Sequence, residues 1–232
     1  MLRAPVVHST QRGSGAHGAQ AGRGSRGEHG GVGRLRPKVG EVIKKLLEAE
    51  VTKHRFTVEE FRKMGEAGIF GEDDRVELVE GEIVEMTPIG WRHVESVNAL
   101  TGMLADLRGV GRFVVSVQNP LVLGEHGEHY PDLVLYRAGV RGRVPEARDA
   151  LVVVEVADTS VAYDRNIKLP LYASVGVPEA WLVDLRAGVV EVHSGPGASG
   201  YGEVRMYARG EAVRSATLAE VVAFVADEVL PG

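Results

Sequence analysis

Two acidic residues occupy positions where a chain normally places apolar side chains. Glu155 lies inside the apolar run 151–156, and Asp132 opens a second apolar run, 133–136. Such runs predict strands that are buried on both faces. An ionised carboxylate without a partner would destabilise such a strand by roughly several kcal/mol, so Glu155 must be protonated, paired or bound to a cation. With Lys168 shortly downstream, the two acids indicate a divalent metal site suited to phosphodiester hydrolysis.

The predicted strands bring the two acids together if they are antiparallel neighbours. The start of one strand then lies beside the end of the other, and Asp132 and Glu155 meet at one edge of the sheet. Their oxygens could share a hard cation at about 2.1 Å each. The helix that follows could bring Lys168 over this edge, with Tyr172 on the same helix face four residues later. A lysine there would orient water or stabilise charge on the reacting phosphate.

Each of these residues also has a simpler structural interpretation. Glu155 could form a buried ion pair with Arg165, and Asp132, which follows Pro131, could end a turn. Lys168 could be a solvated helix lysine, the commoner fate of lysines. The hairpin acids Glu77, Glu80 and Glu82 are expected to be mostly exposed, and strand alternation does not point Glu77 inward.

The sequence predicts structural roles for the histidines and the large aromatic residues. His93 is expected to be a surface or capping residue, although contact with the site is an alternative. His126, His129 and Asp132 have a three-residue spacing that would suit zinc, but a hairpin loop would not make them converge. The aromatic residues expected in the core are Trp91, Trp181 and Tyr172.

The surrounding elements predict a mixed α/β, or α+β, domain. Thr57 and Glu60 form a capping box for a helix ending near Ala67, and a hairpin turns at Gly81. A helix over 91–107 carries one apolar face (Val94, Val97, Leu100, Leu104, Leu107), and in a helix over 162–175 Pro170 is expected either to produce a kink or to mark the true start. Predicted strands cover 113–117, 121–123, 133–136, 151–156, 180–183, 189–193 and 204–207, and the apolar stretch 218–229 is interpreted as a helix.

Composition bounds the class of protein. The chain has 232 residues, 44% of them hydrophobic, which suffices for one sizeable core. No apolar stretch approaches the roughly 18 residues of a membrane span, and no signal peptide is recognisable. The absence of cysteine excludes disulfides and thiolate catalysis, so a reducing cytoplasm is the expected location.

Residues 1–50 are expected to be a disordered basic extension of the folded domain 51–232. Residues 1–40 include ten glycines and a net charge of +6, whereas the whole chain carries −5. The glycine pattern at 13–18 has no flanking strand or helix, so it does not indicate a nucleotide site. A short helix is predicted at 41–50. Val51 is a candidate initiator, which would make the extension a misassigned start, and we expect the extension to be dispensable for folding and chemistry.

Five segments carry a resemblance to a known family. They are Arg75–Met86 (RVELVEGEIVEM), 131–135 (PDLVL), 153–156 (VVEV), 163–173 (YDRNIKLPLYA) and 176–184 (GVPEAWLVD). In this order they resemble the Uma-type putative restriction endonucleases of the PD-(D/E)xK nuclease superfamily, from about Lys53 to the C-terminus. The resemblance implies a restriction-endonuclease-like core and Mg²⁺-dependent cleavage of DNA.

The resemblance also assigns site residues. Asp132 and Glu155 correspond to the paired metal ligands, with the Val156 carbonyl as a further ligand, and Glu77 corresponds to the family's upstream acid. The superfamily pattern places a lysine two residues after Glu155, where this chain has alanine, and the lysine is expected to be displaced to Lys168.

The predicted function is therefore metal-dependent hydrolysis of DNA, with Mg²⁺ as the cofactor and Mn²⁺ as its substitute. The acidic body of the chain disfavours metal-free binding of DNA, because phosphate contacts need clustered Lys and Arg. Cutting both strands of a duplex generally needs two sites, which favours a homodimer. The alternative is a non-catalytic nucleic-acid-binding or regulatory module that keeps the nuclease fold.

Overall fold

The structure is a computed structural model that describes residues 52–232 except 72, 112 and 221, and omits the side chains of 107–111. The expectations for the N-terminal extension, its helix at 41–50 and the start at Val51 fall outside the described residues. Residues Lys53–Gly232 form one compact unit.

Helices and strands alternate along this unit. The helices are α1 (Val58–Glu66), α2 (Trp91–Gly111), α3 (Val161–Tyr163) and α4 (Leu169–Ser174), with a π-helical turn, Asp164–Lys168, between the last two. The strands of the first half are β1 (Val76–Val79), β2 (Glu82–Glu85), β3 (Phe113–Val117), β4 (Leu121–Val122), β5 (Glu128–His129) and β6 (Leu133–Arg137). Those of the second half are β7 (Ala150–Ala157), β8 (Glu179–Asp184), β9 (Val189–Gly197), β10 (Gly200–Ala208), β11 (Ala212–Arg214) and β12 (Ala223–Val225). The fold is mixed α+β, as the sequence predicts.

The strands form three sheets. A six-stranded mixed sheet has the order β10-β9-β8-β7-β6-β3, in which only β7 and β8 are parallel among the described strands. A four-stranded sheet has the order β2-β1-β5-β4, and β11 pairs with β12. The crossover from β7 to the parallel β8 carries α3, the π-turn and α4, so these helices lie next to the end of β7.

The register of β6 and β7 determines where the two acids lie. The strands are antiparallel, and Leu133 is opposite Val154. One step further along this register, Asp132 is opposite Glu155. The predicted antiparallel pairing is therefore confirmed, and it brings both residues to the same end of the strand pair.

Apolar side chains cover both faces of the six-stranded sheet, which is why β7 is buried along nearly its whole length. On one face α2 packs Val97, Leu100 and Leu104 against the sheet. On the other face α4 packs Leu169 and Tyr172. A carboxylate on the central strand is consequently remote from bulk water unless a cleft reaches it.

Local sequence patterns determine the structure at the start of this unit, in α1 and in the β1–β2 turn. Thr57 and Glu60 form the predicted capping box at the start of α1. The β1–β2 turn has positive φ at both Glu80 and Gly81, the geometry of a tight hairpin turn. An alanine at Gly81 would place its Cβ 2.7 Å from the Cβ of Arg55, so glycine is required there by space as well as by backbone conformation.

Two predictions about elements are wrong. The stretch 218–229 is not a helix but contains β12 and a short 3₁₀ turn, because Val222, Phe224 and Ala226 are buried alternately with exposed neighbours. Val94, assigned to the buried face of α2, is 47% exposed because the helix turns its Val97 side to the sheet. The predicted helix 162–175 is present as α3, the π-turn and α4, and Pro170 lies in the first turn of α4, in keeping with the alternative that it marks a helix start.

None of the helices in the described part of the chain is both long and apolar enough to span a membrane.

Candidate active site

A cleft of about 430 Å³ opens at the end of the β6–β7 pair. Its walls come from β1 and β2, the loop before α2, the end of β7 and the α3–π-turn segment. The charged residues that line it are Arg75, Glu77, Glu85, His93, Asp132, Glu155, Asp158, Asp164 and Lys168. Six of these nine are acidic, so the cleft has an excess of negative charge that suits a cation.

Glu155 is buried on the central strand β7 and is 4% exposed. The Tyr172 hydroxyl donates to its Oε1 at 2.5 Å, and Lys168 Nζ lies 3.4 Å from the same oxygen. Burial raises the pKa of Glu155 to about 8, an effect that Lys168 opposes and that the carboxylates of Asp164 and Asp132 reinforce. Below that pH Glu155 therefore carries a proton unless a cation displaces it.

Lys168 is the cation within this acidic group, and it is 4% exposed. Its Nζ lies 3.2 Å from Glu77 Oε1 as well as near Glu155. Burial alone would lower the pKa of Lys168, but the carboxylates of Glu155, Glu77 and Asp164 raise it well above its ordinary value. Lys168 is therefore a fixed positive charge that acts as a donor, not as a base.

Asp132 is held by three donors. The backbone N–H of Val156 donates to Oδ2 at 2.8 Å, the Gln118 amide Nε2 donates to Oδ1 at 3.2 Å, and His93 Nε2 lies 2.9 Å from Oδ1. A carboxylate oxygen accepts hydrogen bonds, so Nε2 of His93 is placed as the donor in this contact. These contacts fix the plane of the Asp132 carboxylate before any ligand is bound.

The π-turn delivers several groups to the cleft from one short segment. Asp164 and Lys168 are its first and last residues, and both are buried. The Ser160 hydroxyl donates to Asp164 Oδ2 at 2.6 Å, which ties the start of the turn to the loop after β7. A π-turn inserts one extra residue into a helix. The direction in which Lys168 and Tyr172 leave the helix axis therefore differs from the one that the preceding helical turn would give.

Three polar atoms of residues that line the cleft are buried without a hydrogen-bond partner among the described residues. They are Oε2 of Glu77, Nδ1 of His93 and the hydroxyl oxygen of Tyr163. Buried polar atoms are almost always satisfied in folded proteins. Orphaned atoms on residues that line an acidic cleft therefore indicate that a ligand or an ion completes their coordination.

These residues fit a hard divalent cation in chemistry and number. The carboxylates of Asp132 and Glu155 are oxygen ligands of the kind that Mg²⁺ prefers, and Mg²⁺ usually takes only one or two carboxylates from the protein. Over the part of the chain that the structure describes, no group of three or more His, Asp or Glu side chains is arranged to hold a metal by itself. The remaining ligands would therefore be water, substrate oxygen or backbone carbonyl, such as that of the cleft residue Val156.

The site residues predicted from the sequence lie close together in the structure. The structure brings Asp132, Glu155, Glu77 and Lys168 to one cleft. The expectation that Glu77 is exposed is wrong, because it is 1% exposed and its strand faces the cleft on that side. Lys168, which is expected to replace the lysine of position 157, has its Nζ 3.4 Å from Glu155 Oε1.

The simpler structural interpretations of Glu155, His93 and Lys168 are wrong. Arg165 does not pair with Glu155 but with Asp184 and Glu191, at 3.0 and 2.6 Å. The expectation that His93 is a surface residue is wrong, since its side chain is 13% exposed and contacts Asp132. Lys168 is not a solvated helix lysine.

The remaining alternatives concern zinc and the aromatic core. His129 is buried against the ring of Tyr172, and Nδ1 of His126 instead lies 2.9 Å from the Phe56 carbonyl oxygen. Trp181 and Tyr172 are core residues as predicted, but Trp91 is 66% exposed.

Sequence reasoning missed Gln118 and Asp164 as site residues. Gln118 is an ordinary polar residue in the sequence, but it has φ = 50°, a left-handed conformation that is uncommon outside glycine. Asp164 belongs to the quoted YDRNIK segment, so the same resemblance that marked Lys168 could have singled it out.

The chain belongs to the Uma2 family, whose description is "putative restriction endonuclease", because the family profile matches residues 58–226. A crystal structure of a putative nuclease belonging to DUF820, from Anabaena variabilis ATCC 29413, has a TM-score of 0.60 and 13% sequence identity. The likeness covers 75% of this chain and 97% of that one and shows that the fold is shared. A search of curated proteins finds no significant match.

Proposed function

We propose that this protein is a metal-dependent endodeoxyribonuclease that hydrolyses phosphodiester bonds in the cleft between β1, β7 and the π-turn. The observation that carries the proposal is the pairing of Glu155 with Asp132 across β6 and β7, with Lys168 3.4 Å from Glu155. Membership of a family described as putative restriction endonuclease supports it.

The net charge of the cluster favours catalysis over a structural role. Glu77, Glu155, Asp132 and Asp164 face one lysine and one histidine, and a buried group of this kind is stable only if its excess charge is neutralised. A proton on Glu155 lowers this excess by one charge in the free protein, as the raised pKa of Glu155 indicates. A bound divalent cation would neutralise more of it in the working enzyme.

Asp132 and Glu155 would hold Mg²⁺, with Mn²⁺ as a substitute and the Val156 carbonyl as a further ligand. A bound divalent cation supplies an activated water molecule and charge neutralisation at the scissile phosphate. Val156 N–H, Gln118 and His93 orient the Asp132 carboxylate for this task. The Tyr172 hydroxyl holds Glu155 in place.

Lys168 contributes a positive charge that stays fixed at all working pH values. Glu77 positions its ammonium group from one side and Glu155 from the other. From this position Lys168 can donate to an attacking water molecule or to a phosphate oxygen as negative charge develops.

The proposal is tested by calorimetric titration of the wild type and of Asp132→Asn with Mg²⁺ and Mn²⁺, followed by nicking assays on supercoiled plasmid. The wild type should bind one ion and nick DNA only when the metal is present. Asp132→Asn is nearly isosteric and should lose both properties while retaining its circular dichroism spectrum.

Asp106→Asn is a suitable matched control, because Asp106 is an exposed acid of α2 that does not line the cleft or the cavity next to it. It should behave as the wild type does. Metal binding without cleavage of any DNA would instead favour the alternative function, a nucleic-acid-binding module that retains the fold. Equal metal affinity in Asp132→Asn and the wild type would refute the site itself.

A further inference from the structure

A second cavity of about 570 Å³ adjoins the cleft. Arg75 and Met86 line both spaces. Gln118 also lines the second cavity, and its amide Nε2 donates to Asp132 Oδ1 in the first. The second cavity is therefore separated from the proposed metal ligand Asp132 by the side chain of Gln118.

The lining of the second cavity is aromatic on one side. Phe61 and Phe70 pack with ring centroids 5.5 Å apart, and Tyr130 and Met86 complete this wall. Proteins hold unpaired nucleobases by stacking them on aromatic rings of this kind. Met86 supplies a polarizable thioether that tolerates flat ligands of different outline.

The polar groups of the cavity also suit a nucleobase and its phosphate. Glu128 is 3% exposed, and Arg62 and Tyr130 already occupy its two oxygens, so it is a fixed part of the wall. The Gln118 amide can bond to a base edge. Arg75 forms no salt bridge with another described residue and stands at the border of the two spaces, where a guanidinium suits a phosphate.

The backbone of Gln118 supports a functional role for this wall. Its φ of 50° is unfavourable for a residue with a side chain, and its backbone N–H donates to the Asp132 carbonyl at 3.0 Å. The surrounding strands thus hold Gln118 in a strained conformation that keeps its amide between the two cavities.

We propose that the second cavity binds the unpaired nucleobase of the nucleotide adjoining the scissile phosphate, so that the substrate is single-stranded or locally unpaired DNA. This inference rests on the proposed nuclease function for the identity of the substrate. A base within a stacked duplex cannot reach such a cavity without leaving the helix.

Methionine methyl groups provide a direct test, because the chain has five methionines and Met86 lines the cavity. The full chain, labelled with ¹³C-methyl methionine and kept in chelator, is titrated with dAMP and separately with deoxyribose 5-phosphate. The Met86 signal should shift with dAMP and not with the sugar phosphate. The Met206 signal, from an exposed residue of β10, should stay unchanged.

A pair of neighbouring substitutions sharpens the test. Phe70→Ala removes a half-buried ring of the wall and should weaken dAMP binding about tenfold, since stacking of one base on an aromatic ring has an effect of this order. Ile69→Ala, at an exposed apolar residue outside the cavity, should leave the affinity unchanged. Equal binding of dAMP and deoxyribose 5-phosphate by the wild type, or no Met86 shift with dAMP, would overturn the proposal without any variant.

Cleavage assays separate this inference from the proposed function. With Mg²⁺, an oligonucleotide with an unpaired segment should be cut faster than the matching duplex, and Phe70→Ala should reduce that preference. Metal-dependent cleavage with no preference for unpaired DNA in the wild type would refute the base site and retain the nuclease. Binding of dAMP at Met86 without cleavage of any DNA would retain the base site and refute the nuclease.

Discussion

Two groups of buried acids lie on neighbouring strands of the same sheet, and they differ in how their charges are satisfied. Asp184 and Glu191, on β8 and β9, are about as buried as Glu155. Arg165 bridges them, and His193 also contacts Glu191. Asp184 Oδ1 accepts two further bonds, from backbone N–H groups.

The same burial has opposite electrostatic results in the two groups. Burial would raise the pKa of Glu191, but His193 and Arg165 more than compensate and hold it below its ordinary value. In the cleft, burial prevails and raises the pKa of Glu155 to about 8. A buried acid by itself therefore does not indicate function. An acid that remains incompletely neutralised next to a cleft does.

The largest expected effect follows from Glu155→Gln. It should abolish Mg²⁺ binding in calorimetry and reduce plasmid nicking at least about a thousandfold, because the paired ligand is lost. At pH 8 without metal the melting temperature should rise, because a buried and poorly compensated acid is removed. Unchanged metal affinity in this variant would show that Glu155 does not bind the metal. The cleft would then resemble the group of Asp184 and Glu191, for which no metal is proposed.

A smaller effect is expected for Lys168→Met, which keeps the length of the side chain. Turnover should fall about a hundredfold, since one donor to the developing charge is removed. Metal affinity should not fall, because removing a nearby positive charge does not weaken the binding of a cation. If metal affinity falls in proportion to turnover, Lys168 organises the ligands and has no part in the chemical step.

The contrast between the groups also predicts a pH dependence. The folded-state pKa of Glu155 is raised from 4.5 to about 8, so the folded protein keeps a proton that the unfolded chain has lost. Metal-free stability should therefore decrease as pH rises from about 4.5 to about 8, and Glu155→Gln should remove this contribution. Over the upper part of this range Mg²⁺ affinity should increase about tenfold per pH unit, because binding displaces the proton, and then level off. Thermal melts and calorimetry at several pH values measure both trends.

The smallest effect is expected in the group of Asp184 and Glu191, whose charges are paired with Arg165. Glu191→Gln should destabilise the fold by roughly 1–2 kcal/mol, a reduced value because Arg165 is partly exposed. Mg²⁺ affinity and cleavage should not change. Chemical denaturation measures the first effect, and a loss of metal binding in this variant would show that the two groups are coupled.

The parts of the site that lie on strands were predictable from the sequence. The parts that depend on contacts between segments far apart in the sequence were not. The apolar runs around Asp132 and Glu155 predict two buried strands, and antiparallel pairing alone brings the acids together. Helix geometry could place Lys168 over the same edge, and the family resemblance was needed to prefer this position to that of a solvated lysine. Both inferences rest on information carried by a few neighbouring residues.

His93, Gln118 and the inward orientation of Glu77 depend on contacts between distant segments. His93 and Gln118 reach Asp132 from different elements, α2 and the end of β3. Strand alternation gives Glu77 two equivalent faces, and only the packing of β1 beside the cleft selects one. The alternative pairing of Arg165 with Glu155 does not occur for the same reason, because Arg165 pairs with Glu191 of β9, which lies far away in sequence.

The π-turn at Asp164–Lys168 makes the length of this segment a fixed property of the protein. Asp164 is anchored to Ser160 on one side, and Tyr172 is anchored in the core on the other. Deleting one residue between them would rotate the following side chains by about 100° around the helix axis. Either Lys168 and Tyr172 would leave Glu155, or Asp164 would leave the cleft. Substitutions on the exposed side of this segment should therefore be tolerated where insertions and deletions are not, and a deletion scan over residues 160–175 would reveal this intolerance.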